Sequence, residues 1–271
     1  MVNKYKGKII DSHAHIFPRK IAEKAVKSIG EFYNIPMNNS SGQIKDLLFC
    51  GSKIGVKRYI VHSTATVKHQ VRAINTFISD SVKENPCFTG LMTLYPDMSI
   101  KEIDDEIKFA TDNGLKGIKL HPDFQKFCID DPKLFNIYAA AEGVLPILFH
   151  TGDKRYEYSK PWRLANVAKK YKKLKVIGAH FGGYSEWESL DCYQDLPNVF
   201  FDTSSSLSFL SVEKAESLIA KFGVEKFMFG SDFPMWAHER ELEYFLQLDL
   251  TEEQKEKILF KNAEDLYNLK D

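Results

Sequence analysis

Eight short apolar runs, rich in β-branched residues, recur along the chain at 8–16, 58–64, 87–95, 114–121, 145–151, 175–181, 199–204 and 227–233. Amphipathic stretches of helical period separate most of them, among them 100–113, 132–143, 161–173 and 211–223. Gly114, Gly143 and Gly223 stand where helices should end, and each is soon followed by the next apolar run. Strict alternation of strand and helix builds a parallel sheet. Eight repeats within 271 residues predict one domain of the α/β class, a closed (β/α)8 or TIM barrel. An open doubly wound sheet would carry a Gly-rich phosphate turn after its first strand, and no such turn follows Asp11 to His15. The stretch 17–43 is longer than a typical strand-to-helix connection, ends in a turn-rich segment at 34–42, and is a candidate lid over the barrel mouth.

Charge narrows the choice of partner. Lys plus Arg and Asp plus Glu both total 37, so no excess points to nucleic acid or to an anionic membrane, and a small-molecule substrate is expected. The sequence is compatible with a homo-oligomer. Cys50, Cys87, Cys128 and Cys192 are widely spaced and read as reduced core thiols, outside any zinc ribbon or disulfide framework. The N-terminus shows no signal-type apolar core and no run approaches the ~20 apolar residues of a membrane span, so a cytoplasmic location is expected.

In a barrel of this kind the chemistry gathers where strands end. His13 and His15 end the first run, His62 the second, Lys119 and His121 the fourth, His150 the fifth, His180 the sixth, Asp202 the seventh and Asp232 the eighth. Alternation along the first strand predicts Asp11, His13 and His15 on one face, with Ile10, Ser12, Ala14 and Ile16 on the other. Two imidazoles on one face can grip a metal ion. His62, standing alone, reads as a hydrogen-bonded structural residue more readily than as a ligand. Lys119 and His121, two residues apart, should both face the interior, where a lysine needs a carboxylate, a modification or substrate charge to offset its desolvation.

His13-Ala14-His15, His150, His180 and Asp232 at these positions resemble the amidohydrolase superfamily. Asp11-Ser12-His13-Ala14-His15, Lys119-Leu120-His121-Pro122, Asp130-Asp131-Pro132, the run from Leu145 to Gly152, Gly230-Ser231-Asp232 and Asn262-Ala263 are similar to its amidohydrolase 2 branch, which includes aminocarboxymuconate-semialdehyde decarboxylase. The resemblance covers about residues 8 to 269. It implies that His13, His15, His150 and Asp232 hold one divalent ion, most often zinc and in some cases manganese, beside a catalytic His180. It also implies a second ion if Lys119 is carbamylated. Three imidazoles and a carboxylate suit zinc, whose bound water ionises near neutrality, and Asp232 could then carry the water's proton.

The leading expectation is therefore hydrolysis of an amide, ester or lactone by metal-activated water. Non-oxidative decarboxylation of a small carboxylated substrate on the same centre is the alternative, and a non-catalytic binding module is a third possibility. Lys119, His121 and Arg155 are the candidate substrate-binding residues, and His238 a further anion holder, although Arg155 and His238 are also compatible with ordinary surface charges. Phe17, Tyr95, Phe124, Tyr156, Tyr158, Phe181, Trp187, Phe233 and Trp236 lie near the predicted mouth and could line a pocket.

Overall fold

The computed structural model describes residues 4–37 and 41–269. Among these, eight parallel strands run in the order β1 to β8: Ile9–His15, Val56–His62, Phe88–Thr93, Gly117–Leu120, Ile147–Phe149, Val176–Gly178, Val199–Asp202 and Phe227–Met228. The chain beyond β8 closes the barrel onto β1. Ser12 N–H donates to Phe229 O at 2.8 Å, Asp232 N–H to His13 O at 2.8 Å and His15 N–H to Phe233 O at 2.7 Å. The expected TIM barrel is thus the observed fold, with every expected strand in place. Among the described residues no helix is long and apolar enough to cross a membrane.

The helical complement begins with α1 (Ala22–Tyr33), α2 (Ile44–Ile54), α3 (Val71–Glu84), α4 (Ile100–Asp112) and the short α5 (Pro122–Gln125). It continues with α6 (Phe135–Ala141), α7 (Pro161–Lys170), α8 (Val212–Phe222), α9 (His238–Phe245), α10 (Glu252–Glu256) and α11 (Asn262–Tyr267). Local chemistry sets several boundaries. Ser99 and Glu102 cap α4 reciprocally, satisfying two backbone donors that the first turn would leave bare. In α1, Ala22, Val26 and Gly30 recur every fourth residue as the buried stripe, and a left-handed Asn34 stops the helix immediately after Tyr33. Of the turn-rich segment 34–42, residues 38–40 lie outside the described residues.

Two apolar layers divide the strand residues. Ile10, Ile60, Leu91, Leu148, Ile177 and Met228 pack together inside the barrel, plugged from below by Ala263, Leu266 and Tyr267 of α11. Their neighbours Ile9, Val61, Met92, Phe149, Val176 and Phe227 pack outward against the helices. Two residues beyond this interior layer stand His62, Thr93, Lys119, His150 and Asp202, which form the next layer up.

The first strand departs from its expected alternation. Ile10 pairs with Arg58 and Asp11 with Tyr59, but the next pairs are Ala14 with Val61 and His15 with His62. β1 therefore advances three residues while β2 advances two, which is a β-bulge. Ile10 and His15 consequently both face inward although their spacing is odd, and Asp11 does not share the face of His13 and His15. Its buried carboxylate instead accepts from His13 N–H, Ser231 N–H, Ser231 Oγ–H and the His238 ring.

Candidate active site

The floor of the site is built from β1, β7 and the turn after β8. His13 Nε2 and His15 Nε2 converge on one oxygen, Asp232 Oδ1, at 3.3 and 3.2 Å. Asp202 Oδ2 accepts from His13 Nδ1–H at 2.8 Å, which fixes the tautomer and leaves Nε2 a lone pair facing the site. The other Asp202 oxygen is held by Ser204 Oγ–H at 2.5 Å and by the Ser204 and His180 N–H groups. Asp232 is fixed in the same manner. Trp236 Nε1–H donates to Ser205 Oγ at 2.8 Å, so the Ser205 hydroxyl donates its proton to Asp232 Oδ2 at 2.5 Å.

Backbone geometry aims two of these groups. His180 and Asp232 both adopt left-handed conformations, with φ of 61° and 57°. Ile177 and Ala179 belong to the inner layer, so regular alternation would send His180 outward, and the left-handed turn brings its ring back toward the axis. Gly230 allows the turn before Asp232 to close, because a Cβ there would lie 3.0 Å from His13 Cβ and 3.2 Å from Ser204 Cβ.

The opposite wall belongs to β4, β5, β6 and α1. Four groups form a hydrogen-bonded relay whose tautomers follow from its ends. Ser204 O can only accept, so His180 Nδ1–H donates to it at 3.0 Å and His180 Nε2 accepts from His150 Nδ1–H at 3.0 Å. His150 Nε2 then accepts from the Tyr33 hydroxyl at 3.3 Å. At the other end Phe124 N–H donates to His121 Nδ1, leaving His121 Nε2–H to donate to the Tyr33 oxygen at 3.0 Å. The His121 ring is stacked between Phe124, 3.7 Å away, and His150, 4.2 Å away.

Burial holds His13, His15, His62, His121 and His150 below the ordinary histidine range, and the nearby charge of Lys119 adds to the effect. These rings are neutral lone-pair donors near pH 7. Burial pushes the Asp232 carboxyl up, but at acid pH, where the rings around it take up charge, His13, His15 and His180 outweigh that penalty and hold the carboxyl below the usual carboxylate range. Burial lowers the Lys119 ammonium from 10.5 to about 8, against the more distant support of Asp232 and Asp202. The Lys119 Nζ lies 3.3 Å from His13 Nε2, and among the described residues it forms no ion pair.

The expected residues are therefore gathered at one end of the barrel, with some differences of position. His13, His15 and Asp232 are in direct contact; His180 lies 5.2 Å from His13 by ring centroid, and His150 a further ring away. Arg155 is already engaged. It pairs with Asp153 through Nε at 3.0 Å and Nη2 at 2.6 Å, donates to Phe32 O, and lies over the rings of Phe32, Tyr33 and Tyr156. His238 is buried at the start of α9 and bonded to Asp11 at 2.9 Å, away from the surface. Of the expected mouth aromatics, Phe17 stacks on His15, Phe124 and Trp236 touch site groups, and Trp187 Nε1–H holds His180 O at 2.9 Å. Phe181 and Phe233 are buried in the helical core instead, and Tyr95 packs against it. The four cysteines are free, but each is partly exposed, so none is a core thiol.

Reading the sequence gave Tyr33, Asp202, Ser204 and Ser205 no role. Asp202 alone had a signal, as a polar residue ending an apolar run. Burial raises the carboxyl of Asp123, also unassigned, to about 7; it lies 3.7 Å from His150 Nε2.

The donor sets fit a divalent ion. Two ligands of one tetrahedral ion held at about 2.0–2.2 Å stand roughly 3.3–3.6 Å apart, close to the spacing of the His13 and His15 nitrogens from Asp232 Oδ1. Among the described residues three groups bring donor atoms within 4.8 Å of one another: His13, His15 and His62; His13, His180 and Asp202; and Asp123, His150 and Asp153.

A metal-capable cluster at one end of a (β/α)8 barrel defines a class, and comparison with known proteins places the chain within it. The family model described as Amidohydrolase matches residues 10–269, so the chain belongs to the amidohydrolase family. A curated relative, Decarboxylase orsB from Emericella nidulans, is 37% identical over 73 residues, a match that spans 26% of this chain and 21% of that protein. Among solved structures, an uncharacterised TIM-barrel protein from Bordetella bronchiseptica is similar with a TM-score of 0.80 and 19% identity, covering 96% of this chain and 98% of that one. The 5-carboxyvanillate decarboxylase from Novosphingobium aromaticivorans, complexed with manganese and 4-hydroxy-3-methoxy-5-nitrobenzoic acid, is similar with a TM-score of 0.76 and 15% identity, covering 96% of each chain.

Proposed function

We propose that this amidohydrolase-family chain is a metal-dependent, non-oxidative decarboxylase of a small carboxylated aromatic compound. The reading replaces hydrolysis, the leading expectation from the sequence, with its alternative. Lys119 carries the case. It is a fully buried ammonium facing the site without an ion-pair partner among the described residues, so it favours a substrate that brings its own anion. A neutral amide, ester or lactone would leave that charge unmatched. The curated relative and the manganese-bound neighbour, both decarboxylases by name, support the same choice.

The ion is assigned to His13, His15 and Asp232, with the fourth position falling to His150 by family resemblance. When bound, it supplies Lewis acidity toward the substrate's oxygens. Lys119 Nζ holds the carboxylate that departs, with His121 beside it at the mouth. As the bond from ring carbon to carboxylate breaks, its electron pair stays on the carbon and carbon dioxide leaves. The carbon then takes one proton. His180 delivers that proton from Nε2, which must first take it up because in the resting arrangement it accepts from His150 Nδ1–H, and its own Nδ1–H is committed to Ser204 O. Tyr33, hydrogen-bonded to both His121 and His150, supplies the replacement proton, leaving His150 free for the ion. Asp232 stays ionised and oriented, its Oδ2 kept by Ser205.

The test is incubation of manganese- or zinc-loaded protein with 5-carboxyvanillate and simple hydroxybenzoates in deuterium oxide. Carbon dioxide release with one deuterium on the ring carbon is expected. Absence of release from this set, together with turnover of lactones or esters, would return the assignment to hydrolysis.

A further inference from the structure

The chain leaves the barrel after β1 and comes back to it at Gly42, where Phe17 N–H donates to Gly42 O at 3.0 Å. Between these points lies α1, whose buried stripe leans on its own segment: Met37 covers Gly30, and Val26 stands over Gly42. Among the described residues α1 packs extensively against no other helix or strand. A helix so lightly held opens at low cost unless something fastens its far end.

One side chain from the loop after β5 does so. Arg155 Nη1–H donates to Phe32 O at 2.6 Å, while Nε and Nη2 fork onto the buried Asp153. Asp153 is itself fixed, since its N–H donates to Ser159 Oγ at 3.2 Å and its Oδ1 accepts from Arg155 N–H at 2.9 Å. Phe32 O is one of the carbonyls that the last turn of a helix leaves unpaired, and α1 has no basic residue in that turn. Arg155 supplies both the donor and the positive charge from 123 residues away. Its guanidinium also lies over the rings of Phe32 and Tyr33, 4.8 and 5.3 Å from their centroids. Tyr33 follows Phe32 directly, so this clasp sets where its hydroxyl falls, 3.0 Å from His121 Nε2 and 3.3 Å from His150 Nε2.

We propose that Arg155 is a positioning residue, the clasp of a lid formed by α1 and hinged where Phe17 meets Gly42. Shut, the clasp brings Tyr33 onto His121 and His150; open, it lets Tyr33 swing away and clears the mouth for substrate. The sequence suggests Arg155 as a substrate-binding residue, but its fork is committed to Asp153 and Phe32. The proton supplied by Tyr33 rests on the function proposed above, whereas the clasp itself does not.

The experiment compares wild type, Arg155→Met, Arg155→Lys, Tyr33→Phe and the double variant Arg155→Met/Tyr33→Phe. In Arg155→Met the amides of 22–33 are expected to exchange hydrogen about tenfold faster with the strands unchanged, and His121 to react with diethyl pyrocarbonate about fivefold faster. Arg155→Lys, which keeps the charge and one donor, should restore both in part. On a substrate that the wild type turns over, Arg155→Met should lower kcat about tenfold with KM within about threefold. The double variant should be no slower than Tyr33→Phe, because both changes act through one hydroxyl. Unchanged exchange of α1 in Arg155→Met would overturn the clasp. A raised KM with kcat kept, the mark of an arginine that binds substrate, would overturn it too, as would losses that multiply in the double variant. If no carboxylated substrate is turned over, the decarboxylase reading fails on its own, and hydrogen exchange and His121 reactivity still decide the clasp.

Discussion

The two walls of the site hold their histidines by different means. On the β1, β7 and β8 side, His13 is tied to the buried Asp202 carboxyl, and Asp232 to Ser205 and Trp236. On the β4, β5 and β6 side, His121, Tyr33, His150 and His180 are tied mainly to one another, through bonds of 3.0 to 3.3 Å. A charge-assisted bond to a buried carboxylate fixes a ring and its tautomer, whereas a relay of neutral groups can reverse its polarity at little cost. The first wall suits holding an ion, and the second suits moving a proton.

Substitutions can break that division of labour. The largest effect is expected for Asp232→Asn, which removes the carboxylate shared by His13 and His15: bound metal should fall below about a tenth per chain and turnover by about a thousandfold or more, with the far-ultraviolet spectrum unchanged. Lys119→Met should lower kcat/KM on a carboxylated substrate about a hundredfold while stabilising the metal-free fold. Because burial lowers this ammonium from 10.5 to about 8, its penalty is fully present below pH 8 and fades as pH rises toward 10.5. At about 1.4 kcal/mol per pH unit the gain is on the order of 3 kcal/mol at pH 7. Urea titrations of both proteins should therefore converge between pH 8 and 10, and parallel curves would show that the lysine is already compensated.

Smaller changes should separate the walls further. Asp202→Asn leaves His13 in place but frees its tautomer, and a loss of about 10- to 100-fold in metal affinity is expected from chelator competition. Tyr33→Phe cuts the relay without touching the floor. It should reduce kcat by about tenfold at unchanged metal content, and loss of metal in this variant would mean that the two walls are not independent.

Much of the barrel was legible in the sequence because each strand announces itself locally, by an apolar run with a polar residue at its end. The interior placement of His150 and Asp202 follows from counting two residues past Leu148 and Phe200, and that of Lys119 from counting two past Gly117, which pairs with the inner-layer Leu91. His180 shows where counting stops working, since its direction is set by a left-handed backbone and not by alternation. The bulge in β1 was hidden because it exists only in the pairing with β2. Tyr33 was hidden for a similar reason: it lies 88 residues from His121 and 117 from His150 in sequence, and only the packing of α1 brings it to them. Arg155 read as a free charge because Asp153 and Phe32 O, which engage it, face it only in the folded chain.

The extra residue in β1 has a meaning of its own. Had pairing continued without it beyond Asp11 and Tyr59, His13 would stand opposite Val61 and Ala14 opposite His62, and both imidazoles would point into the helical layer. Catalytic competence in this barrel is then a matter of parity. A sequence can keep each histidine and aspartate and still be inert, if it loses the one-residue offset that decides which side of the sheet they inhabit.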